Sequence, residues 1–146
     1  MPLLEKNKTF YNKFLGSLIK NGNKVAAKSI LDKSLQIVAE HVKIQPFFIL
    51  RKIFPKLHCF LEIKRIKIRK NTHVVPFPLT SKRQNFLKIK WILDSVRKDN
   101  RRVKMSQKLA TEFINIIKNK KAKILITKNS INQEAVANKS NLHYRW

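Results

Sequence analysis

Residues 61–93 read LEIKRIKIRKNTHVVPFPLTSKRQNFLKIKWIL, and this stretch decides the fold. β-Branched residues and cations fill Leu61 to Ile68. A polar turn follows at Arg69-Lys70-Asn71-Thr72, and Val74-Val75 lead back. Pro76 and Pro78 offer no N–H to a ladder, so the return strand is an edge or ends there. A helical pattern opens near Ser81. The stretch predicts a long two-stranded arm, residues 57–79, feeding a basic helix. Such an arm carries cations well beyond the body of the protein, a shape that suits a polyanion and not a small-molecule pocket.

Within the arm the apolar parity changes. Leu57, Cys59, Leu61 and Ile63 hold odd positions, then Ile66 and Ile68 hold even ones. A one-residue slip moves side chains to the opposite face. Either a bulge near Lys64-Arg65 restores the face, or the outer half leaves the body and takes its facing from a partner.

Working outward, apolar residues recur at helical spacing. Phe10, Phe14 and Leu18 mark a first helix from about Thr9, ended by Asn21-Gly22-Asn23. Ala27, Leu31, Leu35, Val38 and Val42 mark a second, from about Lys24 to His41. The short connection makes these two antiparallel neighbours. Pro46 opens a third, to about Phe54, where Phe47, Phe48, Leu50, Ile53 and Phe54 are apolar nearly all round. That predicts a central place in the core, with Pro55 as the stop. A fourth, about Lys82 to Lys98, turns Phe86, Ile89, Leu93 and Val96 inward. A fifth, about Val103 to Lys118, carries Met105, Leu109, Phe113 and Ile116-Ile117. Asn119 to Lys123 reads as a cationic loop, and a last helix from about Lys128 to Asn141 has only a thin stripe. The expected fold is mainly α: a single domain over residues 1–146, a bundle of about six helices with a protruding two-stranded β-hairpin arm. Residues 1–8 form a short N-terminal tail and 137–146 a C-terminal tail.

The chain has 146 residues, 33 Lys+Arg against 8 Asp+Glu, and a formal net charge of +25. This self-repulsion opposes compaction unless a partner neutralises it. A single cysteine, Cys59, rules out an internal disulfide, and two glycines cannot build a phosphate-cradling loop. His58 and Cys59 are adjacent, but neighbours on a strand point to opposite faces and make no thiol–imidazole pair. The four histidines lack metal-ligand spacing and the acids are scattered singly. No catalytic residue, metal or cofactor is expected. No stretch approaches the ~18 apolar residues of a spanning helix, and the first residues show no apolar run of signal-peptide length.

The cations are the informative set, because a solvated face normally mixes signs and acids are missing from Ile63 to Leu93. Lys64, Arg65, Lys67, Arg69 and Lys70 line the arm. Lys82, Arg83, Lys88, Lys90, Arg97 and Lys98 give the fourth helix a basic outer surface, and Arg101, Arg102 and Lys104 follow it. Backbone phosphates favour such a surface through counterion release. Phe10, Phe14, Phe86 and Trp91 read as core. Tyr144 and Trp146 are freer, and Arg145 between them either binds phosphate or packs on the body. Two other readings remain open: a DNA-binding module built on helices four and five, and a basic protein lying on an anionic membrane surface.

Several motifs, in order and at matching spacing, resemble the universal small-subunit ribosomal protein seven family over nearly the whole chain. Residues 137–146, ANKSNLHYRW, are similar to the bacterial ending AEANKAFAHYRW, and residues 82–92, KRQNFLKIKWI, to RRNALAMRWI. Leu61-Glu62-Ile63-Lys64 sits where the family has VEVK, and Asn71 to Pro76 where it has STYQVP. The resemblance implies a structural, non-catalytic protein. It implies binding to the three-prime major (head) domain of small-subunit rRNA, help in head assembly, neighbouring head proteins as partners, and exit-site tRNA and mRNA nearby. By position it carries RNA contact to Lys64, Lys67, Lys82, Arg83, Lys88, Lys90, Arg97 and Lys104, and to His143, Tyr144 and Arg145. No membrane is implied. The family's paired turn glycines are Arg69 and Lys70 here, so Asn71 is expected to take the left-handed position. The family's His-Arg in the last helix is Asn132-Gln133, and its basic N-terminal extension is shortened to Met1–Lys8. Such drift looks organellar and organelle-encoded. Mitochondrial is favoured over plastid, whose copies keep the glycines.

Overall fold

The computed structural model describes residues 2–118 and 122–145, with side chains from Thr9 onward. The expected loop at Asn119-Lys120-Lys121, and Trp146, lie outside the described residues. The fold is mainly α, with a two-stranded antiparallel hairpin. The helices are α1 (Pro2–Leu18), α2 (Lys24–Val42), α3 (Pro46–Lys56), α4 (Ser81–Arg97), α5 (Met105–Ile117) and α6 (Lys123–Ala137), and the strands are β1 (Leu61–Ile68) and β2 (Asn71–Pro78). A 3-10 segment, Lys139–Tyr144, follows α6.

Local chemistry explains most boundaries. α1 is helical from Pro2, so residues 2–8 extend the helix where a tail was expected. Proline at a first helical position forfeits only an N–H that has no partner there anyway. After α1, Asn21 (φ 53°) and Gly22 (φ 74°) both take the left-handed conformation. Asn23 then caps α2, its side chain accepting from the Ala26 N–H at 3.0 Å. α3 carries Pro55 inside its last turn and runs one residue further, to Lys56. α6 begins at Lys123 and ends at Ala137, several residues earlier at both ends than its thin apolar stripe suggested.

The core draws on every α-helix. Phe14, Leu31, Val38, Ile49, Ile53, Leu57, Ile89, Ile92, Leu109, Phe113, Ile116 and Ile124 are fully buried. Phe14 meets Phe113 edge-on at 5.9 Å, and Phe10 stacks on Phe54 at 4.7 Å. The central element is α5, which packs on α2, α3 and α4 and buries seven of its 13 residues. α3 is more peripheral than its composition suggested, with Phe47 43% and Phe48 44% exposed. Only the Ile49, Leu50, Ile53, Phe54 face is buried, because an apolar residue goes inside only where a neighbour covers it. Phe86 is likewise 48% exposed and not on the inner stripe of α4; Leu87 is buried in its place.

The hairpin ladder is continuous, from Leu61 opposite Pro78 to Ile68 opposite Asn71, so there is no bulge at Lys64-Arg65. The parity change is met by two different neighbours. The odd-numbered inner residues Leu61 and Ile63 share a groove with α4 and α6. In the outer half, His73, the cross-strand partner of Ile66, stacks on Tyr144 at 4.5 Å. The C-terminal segment therefore supplies the second face. It also covers the outer edge of β2: Asn141 Nδ2 donates to the Val74 carbonyl at 3.0 Å, and Arg145 Nε to the Pro76 carbonyl at 2.6 Å. Those carbonyls lie at alternate residues and point away from β1. Pro76 and Pro78 occupy the same outward positions, where a missing N–H costs no ladder bond.

Candidate nucleic-acid interface

Lys64, Arg65, Lys67, Arg69 and Lys70 are all exposed on the arm. The turn residues are Arg69 and Lys70, and Arg69, not Asn71, takes the left-handed conformation at φ 53°. A non-glycine residue there costs roughly 1–2 kcal/mol, so the tip holds its cation in a strained backbone. Lys64 Nζ sits 4.9 Å from the centre of the Phe77 ring.

The arm and the first turn of α4 are fastened together. Arg83 donates from Nε to Glu62 Oε2 at 3.1 Å and from Nη2 to Oε1 at 2.6 Å. The Arg83 hydrogen bonds hold the Glu62 carboxyl below its ordinary value. The same guanidinium lies 5.3 Å from the Phe86 ring. One carboxylate therefore occupies a cation that the sequence assigned to RNA.

Lys82, Lys90, Arg97 and Lys98 are exposed along α4, as expected. Lys88 is not. It is only 5% exposed, and burial, followed by repulsion from Lys128, pushes its ammonium below the usual lysine value while Cys59 opposes the shift. It belongs to the interior side of α4, where Leu87 and Ile89 flank it, and it offers no surface charge. Beyond α4, Arg102 and Lys104 are exposed, whereas Arg101 is engaged by Asp99 through Nε and Nη2. Those contacts bring the Asp99 carboxyl down to about 2.

The C-terminal candidates are less free than their place in the chain suggested. His143 lies against Tyr144 at 3.9 Å, Tyr144 against His73, and Arg145 is tied to Pro76. Arg145 still has guanidinium donors beyond Nε, so the group is packed and remains partly available.

Two exposed aromatic side chains were missed. Phe60 is 72% exposed against His58, and Phe86 accompanies Arg83. Parity was the available signal for Phe60: Leu57, Cys59 and Leu61 are its odd neighbours, so it must face the other way. A groove of about 450 Å³, lined in part by Lys64, Phe77, Thr80 and Arg83, runs along the arm's base. Among the described residues no group of His, Cys, Asp or Glu is placed to hold a metal, and no helix is long and apolar enough to cross a membrane.

Comparison with known proteins identifies the family. The family model described as Ribosomal protein S7p/S5e matches residues 1–139. The chain is 27% identical to the small ribosomal subunit protein uS7m of Drosophila melanogaster, over 92% of this chain and 68% of that protein. It is 30% identical to the small ribosomal subunit protein uS7 of Desulfatibacillum aliphaticivorans, over 100% of this chain and 92% of that protein. It is 28% identical to the uS7m protein of Reclinomonas americana, over 92% of this chain and 83% of that protein.

Proposed function

Because the chain belongs to the ribosomal protein S7p/S5e family, whose members are structural and not catalytic, we propose that its role in the small ribosomal subunit is to bind the three-prime major domain of the rRNA and support assembly of the head. The observation that carries this reading is the run of exposed cations from Lys64 to Lys70, continued by Lys82, Lys90 and Arg97 on α4 and by Lys98 at its end. Phosphate contacts of this kind position a protein on RNA. Roughly 6–10 of them make affinity fall on the order of 10³–10⁵ between 50 and 200 mM salt.

In this reading the arm reaches toward the exit-site tRNA and the mRNA channel, and neighbouring head proteins complete the surroundings. The proposed compartment is the mitochondrion, since uS7m proteins stand among the relatives. Bacterial relatives match as well, and co-sedimentation with the mitochondrial small subunit decides between the two.

The test is a titration of the full chain against transcripts of the three-prime major domain, the five-prime domain and a duplex DNA of equal length, across that salt range. Tighter binding to the three-prime transcript by at least tenfold is expected. Equal affinity for all three would reduce the interface to a nonspecific basic surface. Preference for DNA would restore the reading of a DNA-binding module on helices four and five, which the burial of α5 disfavours: a helix that reads a groove needs a free face.

A further inference from the structure

A second groove, of about 460 Å³, lies between β1, α4 and α6. Its apolar walls include Leu61, Ile63, Trp91 and Ile131, and Asp94 and Glu134 join them. Trp91 and Asp94 stand three residues apart on α4, as Ile131 and Glu134 do on α6, so each helix turns one apolar and one acidic side chain to the same space. Glu62 also lines the groove but is held by Arg83.

Asp94 and Glu134 differ from most acids of the chain. Asp32, Glu62, Asp99 and Glu112 accept hydrogen bonds from Tyr11, Arg83, Arg101 and Ser95 respectively. The carboxylates of Asp94 and Glu134 accept none among the described residues, although 33 Lys and Arg are present in the sequence; exposed Glu40 is the other described case. Three of the 8 acids line this groove against two cations, Arg65 and Lys90. With Glu62 matched by Arg83, Asp94 and Glu134 balance Arg65 and Lys90 in the lining, so this groove lacks the excess of cations that marks the outer arm.

We propose that this groove docks a segment of another protein carrying one arginine between aliphatic residues. The guanidinium lies on the Trp91 indole and is paired by Asp94 and Glu134, while the aliphatic neighbours cover Leu61, Ile63 and Ile131. Charge complementarity sets the occupant. Arginine suits it better than lysine, because its planar, weakly hydrated cation stacks on an aromatic face and forks to carboxylates. Arginine and tryptophan are also enriched among the few residues that carry most of the binding energy of a protein interface. Arg65 and Lys90 disfavour a polybasic run, so a single arginine is the preferred ligand.

The test uses the full chain in a Trp146→Phe background, so that Trp91 is the sole indole. A blocked pentapeptide with one arginine between two leucines is titrated while Trp91 fluorescence is followed, in the free chain and in its complex with the three-prime rRNA transcript. Saturable binding is expected, weakened at least tenfold by Asp94→Asn with Glu134→Gln and by glutamate in place of the peptide's arginine. The same double variant should keep its rRNA affinity within about threefold. Absence of a saturable signal, or equal binding by the double variant, overturns the proposal. So does displacement of the peptide by a short RNA oligonucleotide, which would make the groove an RNA subsite. Failure of the free chain to bind rRNA would overturn the RNA reading alone, since the peptide titration is read separately.

Discussion

The Nε–H of Arg145 reaches the carbonyl of Pro76 at 2.6 Å and ties the end of the chain to the edge of the arm. With Asn141 on Val74 and Tyr144 against His73, it makes the outer strand a covered edge. An uncovered edge invites pairing with other strands.

Removing this cover with Asn141→Ala and Arg145→Ala should loosen the hairpin before it affects the bundle. A net hydrogen bond contributes ~1 kcal/mol and two are lost, so amide exchange at His73 and Val75 should accelerate roughly thirtyfold. Exchange at Leu109 and Phe113 should hardly change, because core amides open only with global unfolding. Uniform acceleration across both sets would mean the segment supports the whole domain.

Glu62→Gln should free Arg83 for phosphate. RNA affinity should rise a few-fold, with the salt slope steeper by up to ~0.9, the increment for one phosphate contact. The stability cost is small, within the ~1 kcal/mol typical of a surface pair. Its pH dependence has a definite sign. The folded carboxyl lies below its ordinary 4.5, so the contribution is complete above that value and is lost as pH falls through the lowered one. Melting temperatures of parent and variant should therefore converge in acid.

Lys88→Met should leave RNA affinity and salt slope unchanged and raise the unfolding free energy read from urea melts by on the order of 1 kcal/mol, as replacing a buried charge with an apolar group often does. Because the folded Lys88 value is lowered from 10.5, the unfolded chain binds the proton more tightly. Parent stability should rise as pH climbs through the lowered value toward 10.5, and the variant should lack that rise. The comparison belongs below pH 10, since burial and the bond to Asp32 raise the Tyr11 hydroxyl to about 12. The stability that bond provides is lost as pH rises from the unfolded tyrosine's 10 through that value. A fall in RNA affinity would return Lys88 to the interface.

Arg69→Gly and Arg69→Ala separate backbone strain from charge. Both remove one cation and should flatten the salt slope by ~0.9 if that cation meets a phosphate. Only glycine relieves the left-handed φ of 53°, so only glycine should offset the lost charge with up to ~1 kcal/mol of added stability in thermal melts. Equal stability of the two variants would mean the turn relaxes on substitution.

Much of the fold was legible because periodicity reports burial directly. Phe14, Leu31, Leu93 and Phe113 sit where their spacing put them, and the arm followed from alternation stopped by prolines. Helix α6 was misplaced because Ile124 and Ala135 are its only buried residues, too few to register a period. The arm cations were readable as a set, since exposure is the default for lysine and arginine. What failed was the state of individual members. Lys88 went inside because the buried face of α4 begins at Leu87 and takes in Leu87, Lys88 and Ile89 in succession, wider than charge spacing implies. Arg83 acquired an acid 21 residues away, and no local pattern reports such a contact. Phe47, Phe48 and Phe86 show the converse: hydrophobic character fixes a preference for cover, and only the tertiary arrangement decides whether cover exists.

The unbroken ladder, with its inner and outer halves leaning on different neighbours, restricts how this hairpin can change in evolution. Inserting or deleting one residue in β1 would turn every side chain beyond it to the wrong neighbour. Length can therefore be gained or lost only in steps of two, matched on both strands. The reach of the arm is in this sense a quantised trait, and lineages that lengthen or trim it should differ by whole pleats.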